Sequence, residues 1–233
     1  MATRPVFFPA LPATATRPGI VTQAFDFLWI PGQAHTQRQK CARSLQSAIL
    51  AELPTARPLE ISSKSDETLG VQLSALNLSF ADGVSVETRY QSAKCFTDGV
   101  GPFPEAARLS AHEARAYVRE QSEGKKLIAF DDHGQSWPLH TGSLFYYWLY
   151  GSALLENSDM AHRLTQYTCF SDIEFNPAKS VSTQAAAAAL FCSLHAFGQL
   201  ETAFQSPDAF LQLCDHAAHT FTAPPQVQPE FNF

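Results

Sequence analysis

The segment 144–155 constrains the fold more than any other. It carries Phe145, Tyr146, Tyr147, Trp148 and Tyr150 among leucines, so a helix through it is hydrophobic nearly all round. Such a helix has no face to offer water and belongs inside a core supplied by the rest of the chain. The chain can supply one. Its 233 residues are 45% apolar and 16% charged, with 18 Phe, six Tyr and three Trp, a globular composition of the size of one large domain. The same aromatic residues are also flat surfaces on which a base can stack.

Around that helix the pattern alternates between strands and helices. Residues 1–20, rich in Pro, Ala and Thr, read as an extended arm, 21–220 as the folded domain and 221–233 as a tail broken by Pro224, Pro225 and Pro229. Strands are expected at 21–30, 58–63, 74–80 and 126–130, where apolar residues recur at short spacing between turn residues. Helices are expected at 35–53, 86–96, 105–121, 183–197 and from Ser206 to about Ala218, with Ser180 or Ser182 capping the fourth of these. The Ala185–Ala189 run lets another element approach closely. The sum is one α+β domain, mostly helical around a small β-sheet.

The net charge of −6 argues against a protein that coats duplex nucleic acid. It leaves room for local contact with one modified nucleotide. Five widely spaced cysteines, with no CxxC and no Cys/His cluster, indicate neither a disulfide framework nor a zinc site, and free thiols in a reducing compartment are expected. No window approaches the ~20 apolar residues of a membrane span and no leader pattern opens the chain. A cytoplasmic protein without membrane contact is the expectation. Dinucleotide, nucleoside-triphosphate, serine-hydrolase and zinc-hydrolase motifs are all missing, so the expected chemistry uses neither metal nor cofactor.

Two stretches stand out from this background. In Val86–Phe96, read as one helix, Glu87, Gln91 and Lys94 fall at i, i+4 and i+7, beside an apolar stripe of Val86, Tyr90, Ala93 and Phe96. A carboxylate, an amide and an amine then sit at the edge of the buried face, where a cleft wall would be, although such residues also decorate ordinary solvated helices. In Phe170–Pro177, polar and apolar residues alternate, so an extended segment would place Asp172, Glu174 and Asn176 on one side. A hydrogen-bonding loop and a ligand-ordering site both account for that pattern.

These residues also carry a resemblance. Ser74–Leu78 followed by Glu87, Gln91, Ala93, Lys94 and Phe96 is similar to the strand and helix motif of the NADAR family, with Thr88 in place of the family's His and Tyr90 for its second aromatic. The segments Arg4–Pro9, Leu59–Ser65, Leu144–Tyr150 and Phe170–Pro177 most resemble the NADAR branch that accompanies DarT-type toxins, and together they extend the likeness over nearly the whole chain. The usual family's C-terminal Trp-Gly and Gly-Asn-Leu-Gly patterns are not evident. The resemblance implies an antitoxin that hydrolyses N-glycosidic bonds to ribose and removes ADP-ribose from guanine bases in DNA, with a DarT-type toxin as functional partner. Related bacterial members imply an alternative, an N-glycosidase for small ribosylamine intermediates of the riboflavin pathway. A non-catalytic antitoxin that binds the toxin or an ADP-ribosyl group is a third reading.

On the catalytic reading, Lys94 forms a Schiff base with the opened ribose, which needs an unprotonated amine and hence burial or a cationic neighbour. Glu87 protonates a leaving oxygen or guides water. A tight Glu87–Lys94 ion pair would oppose attack, so the two must contact different atoms of the sugar. Gln91 and Tyr90 line the same wall. Ser62, Ser63 and Ser74 are candidates for phosphate, Asn77 for the ribose, and Asp172, Glu174 and Asn176 for sugar hydroxyls or the base edge, with Trp148 or Phe103 as the stacking ring.

Overall fold

The computed structural model describes residues 1–32, 34–176 and 182–218. The chain starts with a hairpin. β1 (Ala2–Pro9) and β2 (Ile20–Phe27) pair antiparallel along their full length, Ala2 opposite Phe27 and Pro9 opposite Ile20. Then come α1 (His35–Glu52), β3 (Pro58–Glu60), α2 (Thr68–Gln72), α3 (Val86–Ser92), β4 (Lys94–Phe96), α4 (Ala111–Gln121), β5 (Leu127–Asp132) and β6 (Gln135–Pro138). The second half holds α5 (Gly142–Glu156), α6 (Ser158–Leu164), β7 (Cys169–Ser171), α7 (Gln184–Ala196), α8 (Leu200–Ala203) and α9 (Pro207–Ala218). Among the described residues the strands form a four-stranded sheet in the order β2-β1-β7-β3 and a three-stranded sheet in the order β4-β5-β6. The expected α+β class holds, with helices dominating.

The two faces of the first sheet follow from strand alternation. Val6, Phe25, Phe27, Cys169 and Ile173 meet Cys41, Leu45 and Ile49 of α1, while Phe7, Ile20, Leu59 and Phe170 join the main core with α5, α7 and α9. Residues 2–9 are therefore a strand of the sheet, not an arm. Val6 and Phe7 are wholly buried, one on each face. Pro5 and Pro9 are tolerated because β7 pairs with β1 only at Phe7↔Phe170, so few ladder hydrogen bonds are forfeited. The tail expected at 221–233 and the expected cap Ser180 lie outside the described residues.

The aromatic helix is buried as its pattern requires: Phe145, Tyr147, Leu149, Tyr150 and Leu154 are all at most 3% exposed. It packs against α7, whose Ala185–Ala189 are buried too, and against the second sheet through Phe130 and Trp137. Each such aromatic contributes about 1.5–3 kcal/mol by burial. The cap of α7 is Thr183, whose Oγ1 accepts from the Ala185 N–H. Among the described residues no helix is long and apolar enough to cross a membrane, and all five cysteines are free.

Two expected elements take other forms. Residues 74–80 make turns, with the Asn77 and Leu78 amides both donating to the Ser74 carbonyl at 2.8 Å, and Leu76 is exposed. The helix expected over 86–96 stops at Ser92. The Ala93 carbonyl accepts from Asp131 N at 2.7 Å and that of Ser92 from Phe103 N at 2.7 Å, so tertiary partners take the last carbonyls and Lys94 starts a strand. The expected helix 105–121 likewise divides into a short 3-10 turn, Pro104–Arg108, and α4. Ser110 breaks the two apart by capping α4, its Oγ accepting from Glu113 N while Glu113 accepts in return.

Candidate active site

The α3 helix starts at Ser85, whose Oγ accepts from Thr88 N at 3.1 Å, and carries Glu87 in its first turn, where a carboxylate faces the positive end of the helix. The Glu87 amide donates to the Ala75 carbonyl at 2.9 Å, which ties the helix to the 74–78 turns. One turn on, Gln91 Nε2 donates to Glu87 Oε1 at 2.7 Å. Lys94 is on β4, but its side chain reaches back along the helix, and its Nζ donates to Gln91 Oε1 at 2.7 Å. Arg115 of α4 closes the row, with Nη2 at 2.7 Å and Nε at 3.2 Å from the same Glu87 Oε1. The order is Lys94, Gln91, Glu87, Arg115.

This row answers the requirement that lysine and glutamate not pair directly. The Gln91 amide stands between them, accepting from one and donating to the other. Glu87 Oε1 takes all three of these hydrogen bonds, which leaves Oε2 without one among the described residues. Burial pushes the Lys94 ammonium down to about 8, the Glu87 charge acts upward and Arg115 adds to the fall. At pH 7 roughly a tenth of the molecules then hold the amine neutral. An exposed lysine would hold about a thousandth or less in that form.

The wall beside the amine is aromatic. Lys94 Nζ is 5.3 Å from the Tyr90 ring centroid, and Tyr90 in turn stacks with Phe145 at 6.0 Å and lies 5.1 Å from Phe130 and 5.4 Å from Tyr146. A neighbouring backbone approach fixes the lysine from behind. Gly101 has φ +83°, and a Cβ on it would fall 2.1 Å from the Lys94 carbonyl oxygen, so only glycine fits there.

A second polar group gathers at the end of β7. Glu60, 1% exposed, accepts from Ser62 Oγ at 2.7 Å, Ser171 Oγ at 2.5 Å and Ile173 N at 2.8 Å. Asp172 accepts from Thr183 Oγ1 at 2.8 Å and Glu174 N at 3.1 Å. Burial, and then the Glu60 charge, push its carboxyl up to about 8, so it is protonated at neutral pH. Burial likewise raises Glu60. Tyr146 is coupled to both groups: burial holds its phenol well above its ordinary value, and the Glu87 and Asp172 carboxyls add to that in the same direction.

The predicted site residues are distributed as follows. Lys94, Gln91, Glu87 and Tyr90 come together. Ser62 and Asp172 meet around Glu60, not around the amine. The extended alternation expected of Phe170–Pro177 ends at Ser171, because the chain turns there with Phe175 N donating to the Asp172 carbonyl. Asp172 is consequently buried, Glu174 pairs with Arg38 at 3.6 Å and Asn176 is exposed. Ser63 accepts from Lys64 Nζ on its hydroxyl and from His35 Nε2 on its carbonyl. Ser74 and Asn77 bond to each other and to the Val71 carbonyl. Trp148 packs among Trp137, Phe204 and Phe210, and Phe103 between Phe96 and Tyr117. Both rings belong to apolar clusters. Gln184 joins the first two regions, accepting from Ala75 N and donating to the Ile61 carbonyl, each at 2.7 Å. Surface cavities of about 580 Å³, around residues 10–20 and His216, and about 390 Å³, between the α3 and α4 N-termini, include neither Lys94 nor Glu87.

Arg115, Tyr146 and Glu60 were not singled out by sequence. Arg115 comes from an unremarkable polar helix, and its partner lies 28 residues away. Tyr146 is hidden among aromatic residues that serve packing. Glu60 did leave a trace, a lone acid between Leu59 and Ile61 in an apolar strand.

Comparison with curated proteins finds no match. The family described as DarT1-associated NADAR antitoxin matches residues 2–223, a span that includes the hairpin, both polar groups and the aromatic helix. On that match the chain belongs to the family of DarT1-associated NADAR antitoxins.

Proposed function

We propose that this antitoxin is an N-glycosyl hydrolase that removes ADP-ribose from guanine bases of DNA, with Lys94 as nucleophile and Glu87 as proton carrier. The observation that supports it most is the Lys94–Gln91–Glu87–Arg115 row, which holds an amine close to neutrality without an acid in direct contact.

The reaction runs in balanced steps. The ribose ring oxygen takes a proton from the Glu87 carboxyl, the bond from that oxygen to the anomeric carbon breaks, and the guanine nitrogen lone pair forms an imine to the carbon. The neutral Lys94 amine adds to this carbon. The guanine nitrogen then leaves with a proton, and the lysine nitrogen closes a Schiff base. Water adds to the Schiff-base carbon and gives one proton to the Glu87 carboxylate, which restores the acid; the hydroxyl proton of the resulting carbinolamine passes to the lysine nitrogen as the carbon–nitrogen bond breaks, and ADP-ribose is released as the aldehyde that recloses to the ring. Gln91 fixes the lysine orientation, Arg115 keeps Glu87 in place, and Tyr90 excludes water from one side. Tyr146 offers a hydroxyl to the sugar between Glu87 and Asp172.

The test is release of ADP-ribose from a guanine-ADP-ribosylated oligonucleotide by the wild type and Lys94→Ala, with borohydride present in a parallel reaction. Release by the wild type, its loss in the variant and a borohydride-trapped adduct on Lys94 are expected. Turnover by Lys94→Ala at the wild-type rate would remove the lysine from the mechanism. A folded wild type that releases nothing from the oligonucleotide would overturn the substrate assignment.

A further inference from the structure

Arg108, Arg115 and Arg119 follow one another along the 3-10 turn Pro104–Arg108 and α4, beside the proposed active site. Arg115 marks the side of α4 that faces α3, since it holds Glu87. Arg119 stands one helical turn further along that side. Arg108 lines the cavity of about 390 Å³ together with Ser85 and Thr88 of α3. The acids of α4 point away: positions 113 and 120 fall roughly 100–160° round the helix from 115 and 119, and Glu113 is spent on Ser110. Arg108 and Arg119 are exposed, and neither guanidinium has a hydrogen bond or an ion pair among the described residues. In a chain of net charge −6 this edge therefore carries a local charge opposite to that of the whole. Asp82 also lines the cavity, its Oδ1 accepting from Val84 N, while the 45% exposed Leu76 gives it an apolar edge.

We infer that the DNA carrying the modified guanine lies along this edge as a single strand, with the phosphate on one side of the guanine at Arg108 and that on the other side at Arg119. An exposed guanidinium fork with no partner of its own meets phosphate oxygens without breaking a contact inside the protein. The base next to the guanine enters the cavity at its Leu76 edge, and Asp82 keeps the phosphate at the Arg108 end. The position of the amine calls for a single strand. Lys94 stands in a wall between Gln91 and Tyr90, so a base must be out of its duplex stack to meet it. Two arginines neutralise too few phosphates to hold a duplex against that opening. Phosphate contacts carry no base code, so the sequence around the guanine is expected to matter little. The inference rests on the proposed DNA substrate for its meaning, but strand binding itself does not depend on turnover.

The test is fluorescence anisotropy of a labelled, unmodified single-stranded oligonucleotide titrated with the full chain over a range of low salt concentrations. Wild type, Arg108→Gln, Arg119→Gln and the double variant are compared. Lys40→Gln is the control for net charge, an exposed cation of α1 on the other face of the first sheet. Each single arginine variant is expected to bind about 3–10-fold more weakly and to lower the slope of log affinity against log salt by about 0.7, with both losses compounding in the double variant. Lys40→Gln is expected to bind as the wild type does. Both arginines are exposed and unbonded, so their loss leaves the fold intact. Wild-type affinity and slope in the double variant overturn the inference and turn this edge over to a protein partner. An equal loss in Lys40→Gln, or no binding of the oligonucleotide by the wild type, overturns it as well. Tighter binding of the matching duplex overturns the single-strand assignment. Arginine-dependent binding without ADP-ribose release from a modified oligonucleotide supports the strand path and counts against the proposed reaction alone.

Discussion

The group around Lys94 and the group around Glu60 have similar parts and opposite states of completion. Each sets buried ionisable side chains among hydrogen-bond partners, and in each burial is the largest cause of the shifted protonation. Around Glu60 both carboxylate oxygens are occupied: Oε1 by Ser62 and Ile173, Oε2 by Ser171. Around Lys94 capacity is left over, since Nζ uses one of its donors on Gln91 and Glu87 Oε2 accepts nothing among the described residues. A filled inventory locks strands together, as Glu60 locks β3 to the chain after β7. An unfilled one can accept a substrate. Burial alone does not separate architecture from chemistry; unused hydrogen-bonding capacity does.

Substitution should break that comparison cleanly. Lys94→Met is expected to cut ADP-ribose release by roughly 10³-fold or more in single-turnover assays. The same change should raise stability by about 1–2 kcal/mol at pH 7, because the folded state no longer holds a lysine whose ammonium is disfavoured. The sign follows from linkage. The lysine's folded value, about 8, is below its unfolded one, so the penalty is complete below pH 8 and fades as pH rises toward 10.5. Urea unfolding at pH 7 and pH 10 measures it, and a gain that does not shrink at the higher pH would contradict the burial of the charge. Glu60→Ala is expected to do the reverse. It strands three buried donors and should cost about 3 kcal/mol of stability in urea, with the rate per folded molecule preserved. Loss of rate in a folded Glu60→Ala protein would merge the two groups into one site.

Glu87→Gln comes next, with a fall of about 100-fold in rate and little change in the urea midpoint. It retains the shape that Gln91 and Arg115 grip but removes the proton carrier. A rate within twofold of wild type would reassign the proton to another group, with Tyr146 first in line.

How much of this could be read from the chain depends on the range of the interactions. The Glu87–Gln91 contact is one helical turn long, so spacing alone located it. Lys94 was placed on the right side for an incomplete reason. The period continued on paper beyond Ser92, whereas in the fold the helix ends and the long lysine side chain spans the gap. The aromatic helix was legible because a segment apolar on all sides has only one environment open to it. The N-terminal strand was not legible, since four prolines within 1–20 mimic a linker and the compensation, a partner strand that pairs at a single residue, lies some 160 residues away. Asp172 illustrates the converse failure. Its alternating neighbours suggested a strand, but a carboxylate can fold its own backbone into a turn, and Asp172 accepts from the amide two residues on.

Arg115 gives the finest test of the difference between the two groups, because it touches no expected reacting atom. It is a positioning residue, and its charge is one of the causes that keep the Lys94 amine below its ordinary value. Arg115→Gln removes that cation and leaves Glu87 less compensated, so both changes favour the ammonium and the amine should titrate above 8. The rate at which the wild-type Lys94 amine is trapped by a small aldehyde and borohydride is expected to rise tenfold per pH unit below about 8 and level off above it, since only the neutral amine attacks. In Arg115→Gln the same limb should appear about half a unit to one unit higher, which lowers the rate at pH 7 by about 3–10-fold while the plateau at high pH changes much less. A merely structural role would lower the whole profile and leave the limb where it was. Arg115→Lys, which restores the charge without the fork, should bring the limb most of the way back.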